Sequence, residues 1–123
     1  MENEILTGKI IGKAMEVHRH LGPGLLESVY RDCLSYELSV SGLFVQSEIS
    51  LPLVYKEKSF DRGFRIDLLA ENQVVVELKT VETLNDVHLA QILTYLRIGH
   101  FKIGLLINYN VTSLKQGLRR VVL

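Results

Sequence analysis

The sequence predicts an α/β fold in which a central mixed four-stranded sheet, an antiparallel meander plus one parallel strand, is flanked by helices in the order ααβββαβ. Three observations carry that reading. Apolar residues recur at helical spacing from Glu4 to about Leu38; from Phe44 to Lys79 the spacing becomes two; and a further helical stretch separates those strands from one last apolar run, Lys102 to Asn108. A period near 3.6 marks a helix and a period of two a strand, because those repeats return a side chain to the same face.

The first helix runs from about Glu4 to Leu21. Ile10, Ala14, Val17 and Leu21 line one side, while Lys9, Lys13, Glu16 and Arg19 face elsewhere. Gly22-Pro23-Gly24 breaks it, since proline cannot continue the hydrogen-bond ladder and glycine supplies the positive φ of a helix stop. A second helix carries Leu26, Tyr30, Cys33, Leu34 and Leu38 at helical spacing until Ser41 and Gly42. Val45, Ile49, Leu51 and Leu53 then mark a strand, and Pro52 places a bulge or a sheet edge there. Lys56 to Asp61 reads as a polar turn, Phe64 to Leu69 as a strand, Glu71-Asn72-Gln73 as a second turn, and Val74 to Lys79 as the most β-prone stretch. The third helix spans about Asn85 to Arg97, capped by Asn85 and buried along Leu89, Ile92, Leu93 and Leu96. The strand that follows is apolar almost throughout, which suits an internal strand reached by a parallel crossover. Ser113 to Val121 is expected to close the fold as a short helix.

At 123 residues the chain fits one domain, residues 1–123, and with 47% hydrophobic and 23% charged residues it has the material for an ordinary core. Lysine plus arginine balances aspartate plus glutamate at 14 each, so any affinity for a polyanion must come from local clustering. The single cysteine, Cys33, excludes an intramolecular disulfide and a cysteine-rich zinc site, and its place in a helical stripe assigns it to packing. With no basic leader and no run approaching the roughly 18 apolar residues of a membrane span, the expected location is cytoplasmic, without a membrane partner.

The chemistry concentrates where charge interrupts buried strands. Glu77 and Lys79 are two apart, so they emerge on one face of a strand whose Val76 and Leu78 are apolar. They either reach solvent at the strand end or are held there by partners, because a buried carboxylate or ammonium costs several kcal/mol in order of magnitude unless paired or metal-bound. Asp67 interrupts the neighbouring strand in the same way. If Ala70 pairs with Val74 across a three-residue loop, Asp67 falls opposite Glu77; if Ala70 pairs with Gln73, it falls opposite Val76. The first register is expected. Two carboxylates and a backbone carbonyl such as that of Leu78 then make an oxygen-rich site suited to Mg²⁺, with Lys79 able to position water or offset phosphorane charge.

The series Asp67, Glu77-Leu78-Lys79 and Gln91 on the next helix resembles the PD-(D/E)XK nuclease superfamily. More narrowly, Gly24-Leu25-Leu26-Glu27-Ser28-Val29-Tyr30 matches the signature of the GxxExxY family, and the likeness runs from His18-Arg19-His20-Leu21-Gly22 through Arg65-Ile66-Asp67 to Leu105-Leu106-Ile107-Asn108. Ile66, not proline, precedes Asp67. The resemblance implies a restriction-endonuclease-like core. It implies Asp67, Glu77 and Glu27 as metal ligands, Lys79 as the catalytic lysine, Gln91 as a further site residue, Mg²⁺ or Mn²⁺ as cofactor, and DNA or RNA as substrate. From the residues alone, Glu27 in the first turn of its helix is equally a carboxylate answering the helix dipole, and Gln91, sharing a face with Tyr95, is equally a solvated amide. Two further readings stay open: a non-catalytic nucleic-acid-binding or regulatory module on the same fold, and a homodimer joined through the last apolar strand or Val121-Val122-Leu123.

Other signals are set aside. Gly8-Lys9-Ile10-Ile11-Gly12-Lys13-Ala14 imitates a phosphate loop with the wrong glycine spacing and an alanine where Ser or Thr would bind magnesium. His18 and His20 point in different directions on a helix, and His18 reads as a packed histidine. His88, three residues before Gln91, is at most a cleft-lining base. Lys56, Lys58, Arg62 and Arg65 surround one turn, either as a phosphate-contacting patch or as a solvated hairpin.

Overall fold

Leu6, Ile10, Ala14 and Val17 are buried along one side of helix α1 (Asn3–Leu21), and Tyr30, Leu34 and Leu38 along helix α2 (Glu27–Val40). These stripes pack together on one face of a five-stranded sheet in a computed structural model that describes residues 2–123, apart from the Arg62 side chain. Leu21, expected in the first stripe, is the last residue of α1 and is 36% exposed. His18 fulfils its packed role: it is buried, and its Nε2 lies 2.8 Å from the Val111 carbonyl oxygen. Cys33 is partly buried against the same cluster.

The strands β1 (Val45–Tyr55), β2 (Lys58–Ala70), β3 (Val74–Lys79), β4 (Ile103–Asn108) and β5 (Leu118–Val122) lie side by side in chain order. Neighbours are antiparallel except β3 and β4, which run parallel around helix α3 (Asp86–Gly99). Leu68, Ala70, Val74, Val76, Leu78, Leu105 and Ile107 face α1 and α2, whereas Leu69, Val75 and Leu106 face Ile92 and Leu96 of α3. The helix begins at a capping box: the Asn85 side chain accepts the Val87 and His88 N–H groups, and His88 Nδ1 accepts the Asn85 N–H. His88 is thereby committed to the cap. Among the described residues, no helix is long and apolar enough to cross a membrane.

Three expectations are corrected. The sheet has five strands rather than four, because Ser113 to Val121 forms only a single 3₁₀ turn, Leu114–Gly117, before running out as β5. β4 is consequently buried between β3 and β5, so it is not free to pack against a second copy; of Val121-Val122-Leu123, Val122 and Leu123 are exposed on the edge strand and its end. The polar stretch after Tyr55 is mostly strand, with the turn confined to Lys56 and Glu57, and Lys56 has a left-handed φ of 56°. The bulge at Pro52 is present: the β1–β2 register shifts between Leu51 and Leu53 on an edge strand.

Candidate metal centre

Ala70 pairs with Val74 across the loop Glu71-Asn72-Gln73, whose first two residues adopt φ of 53° and 54°. Leu69 then pairs with Val75 and Leu68 with Val76, which brings Asp67 opposite Glu77. This is the first of the two registers considered. At that position the ladder changes character. The Asp67 N–H donates not to a backbone carbonyl but to Glu77 Oε1 at 3.0 Å, and the Leu78 N–H donates to Asp67 Oδ2 at 2.8 Å. The two carboxylates have taken the place of the next pair of backbone bonds, so β2 and β3 are joined there through side chains. The regular backbone pairing of β2 and β3 ends there.

The same position carries a change of face. Strict alternation would keep Phe64, Ile66, Leu68 and Ala70 on one side of the sheet. Instead Phe64 and Ile66 pack with α3, and Leu68 and Ala70 with α1 and α2. The strand switches sides at Asp67. Across from it on β1, Glu48 adopts a left-handed φ of 53° and drops out of the paired register between Ser47 and Ile49. Arg31 of α2 holds Glu48 at 2.6 Å, fixing the irregularity from the helix side. The flanking pairs Ser47–Leu68 and Ile49–Ile66 keep one register, so the irregularity re-aims Asp67 without shifting the strands.

Glu77 is 3% exposed, and its carboxyl is pushed up to about 9, first by burial and then by the negative charge of Asp67. Lys79, two residues on, projects Nζ to Gln91 Oε1 at 2.9 Å, so the helix-borne amide orients the ammonium. One turn further along α3, Tyr95 stacks on Phe64 with ring centroids 4.6 Å apart and planes 12° from parallel. Its hydroxyl is raised by burial and then by the charges of Glu77 and Asp67. Glu27 is the first residue of α2, and its carboxyl is raised by burial and by Asp67, against the opposing pull of Lys79 and Arg31. All five expected residues therefore share one electrostatic neighbourhood. Among the described residues, however, no group of three or more His, Cys, Asp or Glu side chains stands close enough to hold an ion, so Glu27 does not close a cage with Asp67 and Glu77.

The local sequence explains how α2 presents Glu27. Gly24 has φ of 98°, a conformation that glycine adopts without strain. Tyr30 anchors the turn from below: its hydroxyl donates to the Gly22 carbonyl and accepts the Leu25 N–H, and its ring stacks on Tyr109 at 4.3 Å. A second support escaped sequence reasoning. Buried Asn108, paired with Lys79 in the parallel register, accepts the Val81 N–H at 3.0 Å and donates to the Val81 carbonyl at 2.8 Å. Its amide thus clamps the chain just after Lys79. The available signal was a lone amide ending an otherwise apolar strand.

The donor set fits a small hard cation. Each of the two opposed carboxylates spends one oxygen on a backbone N–H and keeps the other, and a positive charge beside them would offset the burial that raises Glu77. Mg²⁺ binds through one or two carboxylates and keeps several waters, so two protein carboxylates are enough. A family model described as the PD-(D/E)XK nuclease superfamily matches residues 4–121. No curated protein and no solved structure matches the chain. The family match spans both N-terminal helices, the split between β2 and β3 with its Asp67 and Glu77-Leu78-Lys79, the crossover helix and the last strand, and the chain belongs to the PD-(D/E)XK nuclease superfamily.

Proposed function

We propose that the protein is a metal-dependent nuclease that hydrolyses phosphodiester bonds in DNA or RNA with Mg²⁺ or Mn²⁺. The observation that carries this reading is the exchange of two ladder bonds for carboxylate contacts between Asp67 and Glu77, directly beside a lysine already oriented by Gln91. Asp67 and Glu77 are the residues that would hold the ion. Bound there, it would supply Lewis-acid polarisation of the phosphate and a lowered pKa for the attacking water. Lys79, tethered by Gln91, sets its ammonium against the charge that builds on the phosphoryl oxygens. Glu27 adds negative charge near Asp67, and Tyr95 lies near the two carboxylates on the α3 side. The turn built by Gly24 and Tyr30 around Glu27 supports the narrower assignment to the GxxExxY family.

Purified protein incubated with Mn²⁺ or Mg²⁺ and mixed single- and double-stranded DNA and RNA tests this reading, beside Asp67→Ala. Cleavage that requires metal and disappears in the variant supports it; cleavage that persists in the variant sinks it. A non-catalytic binding module is the second reading, favoured because Asp67 and Glu77 are joined by no third His, Cys, Asp or Glu ligand among the described residues. Calorimetric titration with Mn²⁺ separates the two, since the second reading requires no Asp67-dependent heat of binding. Homodimerisation through exposed Val122 and Leu123 on β5 is checked by sedimentation across a dilution series.

A further inference from the structure

β1 and β2 are 11 and 13 residues long, yet β3 has only 6, and β2 pairs with β3 only over Leu68 to Ala70. Beyond Leu51 and Phe64, no described residue of the hairpin belongs to either core cluster. The outer part is a free two-stranded arm. It joins the sheet at the register shift beside Pro52, where Gly63 lies so close to β1 that a Cβ would stand 2.7 Å from the Leu51 carbonyl oxygen. A bulge of this kind redirects the strands that leave it.

The arm is not built as a merely solvated turn. Tyr55 is 61% exposed, Phe60 40% and Val54 62%. Leu53 pairs with Phe60 and Tyr55 with Lys58, so Tyr55, Lys58 and Phe60 emerge on one face of the ribbon. Tyr55 and Phe60 are diagonal neighbours, roughly 7–8 Å apart by strand geometry. Each ring has an ammonium near it: Lys56 Nζ lies 5.5 Å from the Tyr55 centroid, and Lys58 Nζ 5.3 Å from that of Phe60. Two rings with attendant cations and no core beneath them match the way proteins hold unpaired nucleotides, by stacking bases on aromatic faces and meeting phosphates with lysine.

We propose that the tip of the β1–β2 hairpin is a binding platform for single-stranded nucleic acid, with Tyr55 and Phe60 stacking on bases and Lys56 and Lys58 contacting the backbone. The delivery of that strand to Asp67 and Glu77 rests on the nuclease reading above; the binding does not. β2 runs from the platform straight to Asp67, covering at most ~23 Å from Phe60 at the rise of an extended strand. Unpaired nucleotides fit better than a duplex groove, because exposed Tyr55 and Phe60 offer ring faces on which splayed-out bases stack, whereas bases paired in a duplex already have their faces covered. Glu57 and Asp61 offset the two lysines, so stacking carries most of the affinity and the salt dependence is shallow.

The test is fluorescence anisotropy in EDTA, where cleavage is silent, with labelled oligothymidylate and oligouridylate of about 20 nucleotides, longer than one such site. Replacing both rings (Tyr55→Ala with Phe60→Ala) is expected to weaken binding by about tenfold or more per ring. Lys56→Ala with Lys58→Ala is expected to lower the slope of log affinity against log salt by about one per lost phosphate contact. All four residues lie outside both cores, so thermal melts should match the wild type and certify folding. Unchanged binding in the ring variant, or preferential competition by a blunt duplex, overturns the proposal. If the ring variant also cleaves like wild type while Asp67→Ala is dead, the platform fails and the nuclease reading stands. Ring-dependent binding with no metal-dependent cleavage supports the platform and sinks the nuclease reading.

Discussion

The two ends of the β2–β3 pairing are built from the same strands and do opposite things. At the closed end, Leu68, Leu69 and Ala70 meet Val76, Val75 and Val74 in regular register, with every side chain buried in one core or the other. At the open end, one residue further along β2, two carboxylates replace backbone acceptors, the strand changes face, and Glu77 is held nearly dry with its proton affinity raised. Stability resides at the first end and is given up at the second. The comparison teaches that the turn at Glu71-Asn72-Gln73 does more than connect strands. By fixing the closed end, it fixes which two residues meet where the ladder fails.

Substitutions at the two ends should separate stability from activity. Leu68→Ala, at the closed end, is expected to cost about 2–5 kcal/mol, as buried leucine truncations do, read as a lower midpoint in urea denaturation. Lys79→Ala, at the open end, is expected to reduce cleavage about 10²–10³-fold, the scale for losing one charge-stabilising donor, with the denaturation midpoint nearly unchanged. A loss of activity in Leu68→Ala beyond its unfolded fraction, or global destabilisation in Lys79→Ala, would erase the distinction between the ends.

Glu77→Gln sharpens it through pH. The Glu77 carboxyl sits at about 9 in the folded chain against an ordinary value of 4.5. Between those values the native state holds a proton that the unfolded state has released, so stability falls as pH rises through that window. The metal-free variant should therefore melt higher than wild type at pH 8, with the gap narrowing as pH falls and closing only below 4.5, where the carboxyl is protonated in both states. Equal gaps at both ends of the range would mean that burial of Glu77 is not the strained feature. The smallest effect is expected from Gln91→Ala, which leaves Lys79 charged but untethered. Cleavage should drop about tenfold or less, the order of one modest hydrogen bond, and Gln91→Glu should not mimic wild type, because a carboxylate would pair with the ammonium and neutralise it.

Much of the closed end was legible because valine runs and turn residues speak locally. Val74-Val75-Val76 and the Glu71-Asn72-Gln73 loop narrowed the pairing to two registers, and the expected one, with Ala70 against Val74, is present and places Asp67 opposite Glu77. The open end was legible only in part. Alternation, assumed throughout β2, hides the switch at Asp67, since nothing in Arg65-Ile66-Asp67-Leu68 distinguishes a bulge from a regular strand. Gln91 reads as any solvated helical amide until Lys79 is seen to reach it, and Glu27 reads as a helix-dipole carboxylate; both entered through the resemblance. The fifth strand was missed because only Val121 of Leu118–Val122 is buried, leaving no period to detect. The arm was misread as a turn for a related reason: a ribbon without a core beneath it carries no hydrophobic pattern.

The central claim is that the parted end of β2 and β3 is a cation-dependent cleavage site centred on Asp67 and Glu77. The most direct measurement is cleavage of labelled nucleic acid by wild type and Asp67→Ala, each with Mn²⁺ and with EDTA, alongside calorimetric Mn²⁺ binding to both. The account predicts Mn²⁺ binding and cleavage by wild type and neither by the variant. Equal Mn²⁺ binding by the two proteins, or cleavage that survives EDTA or the loss of Asp67, would contradict it.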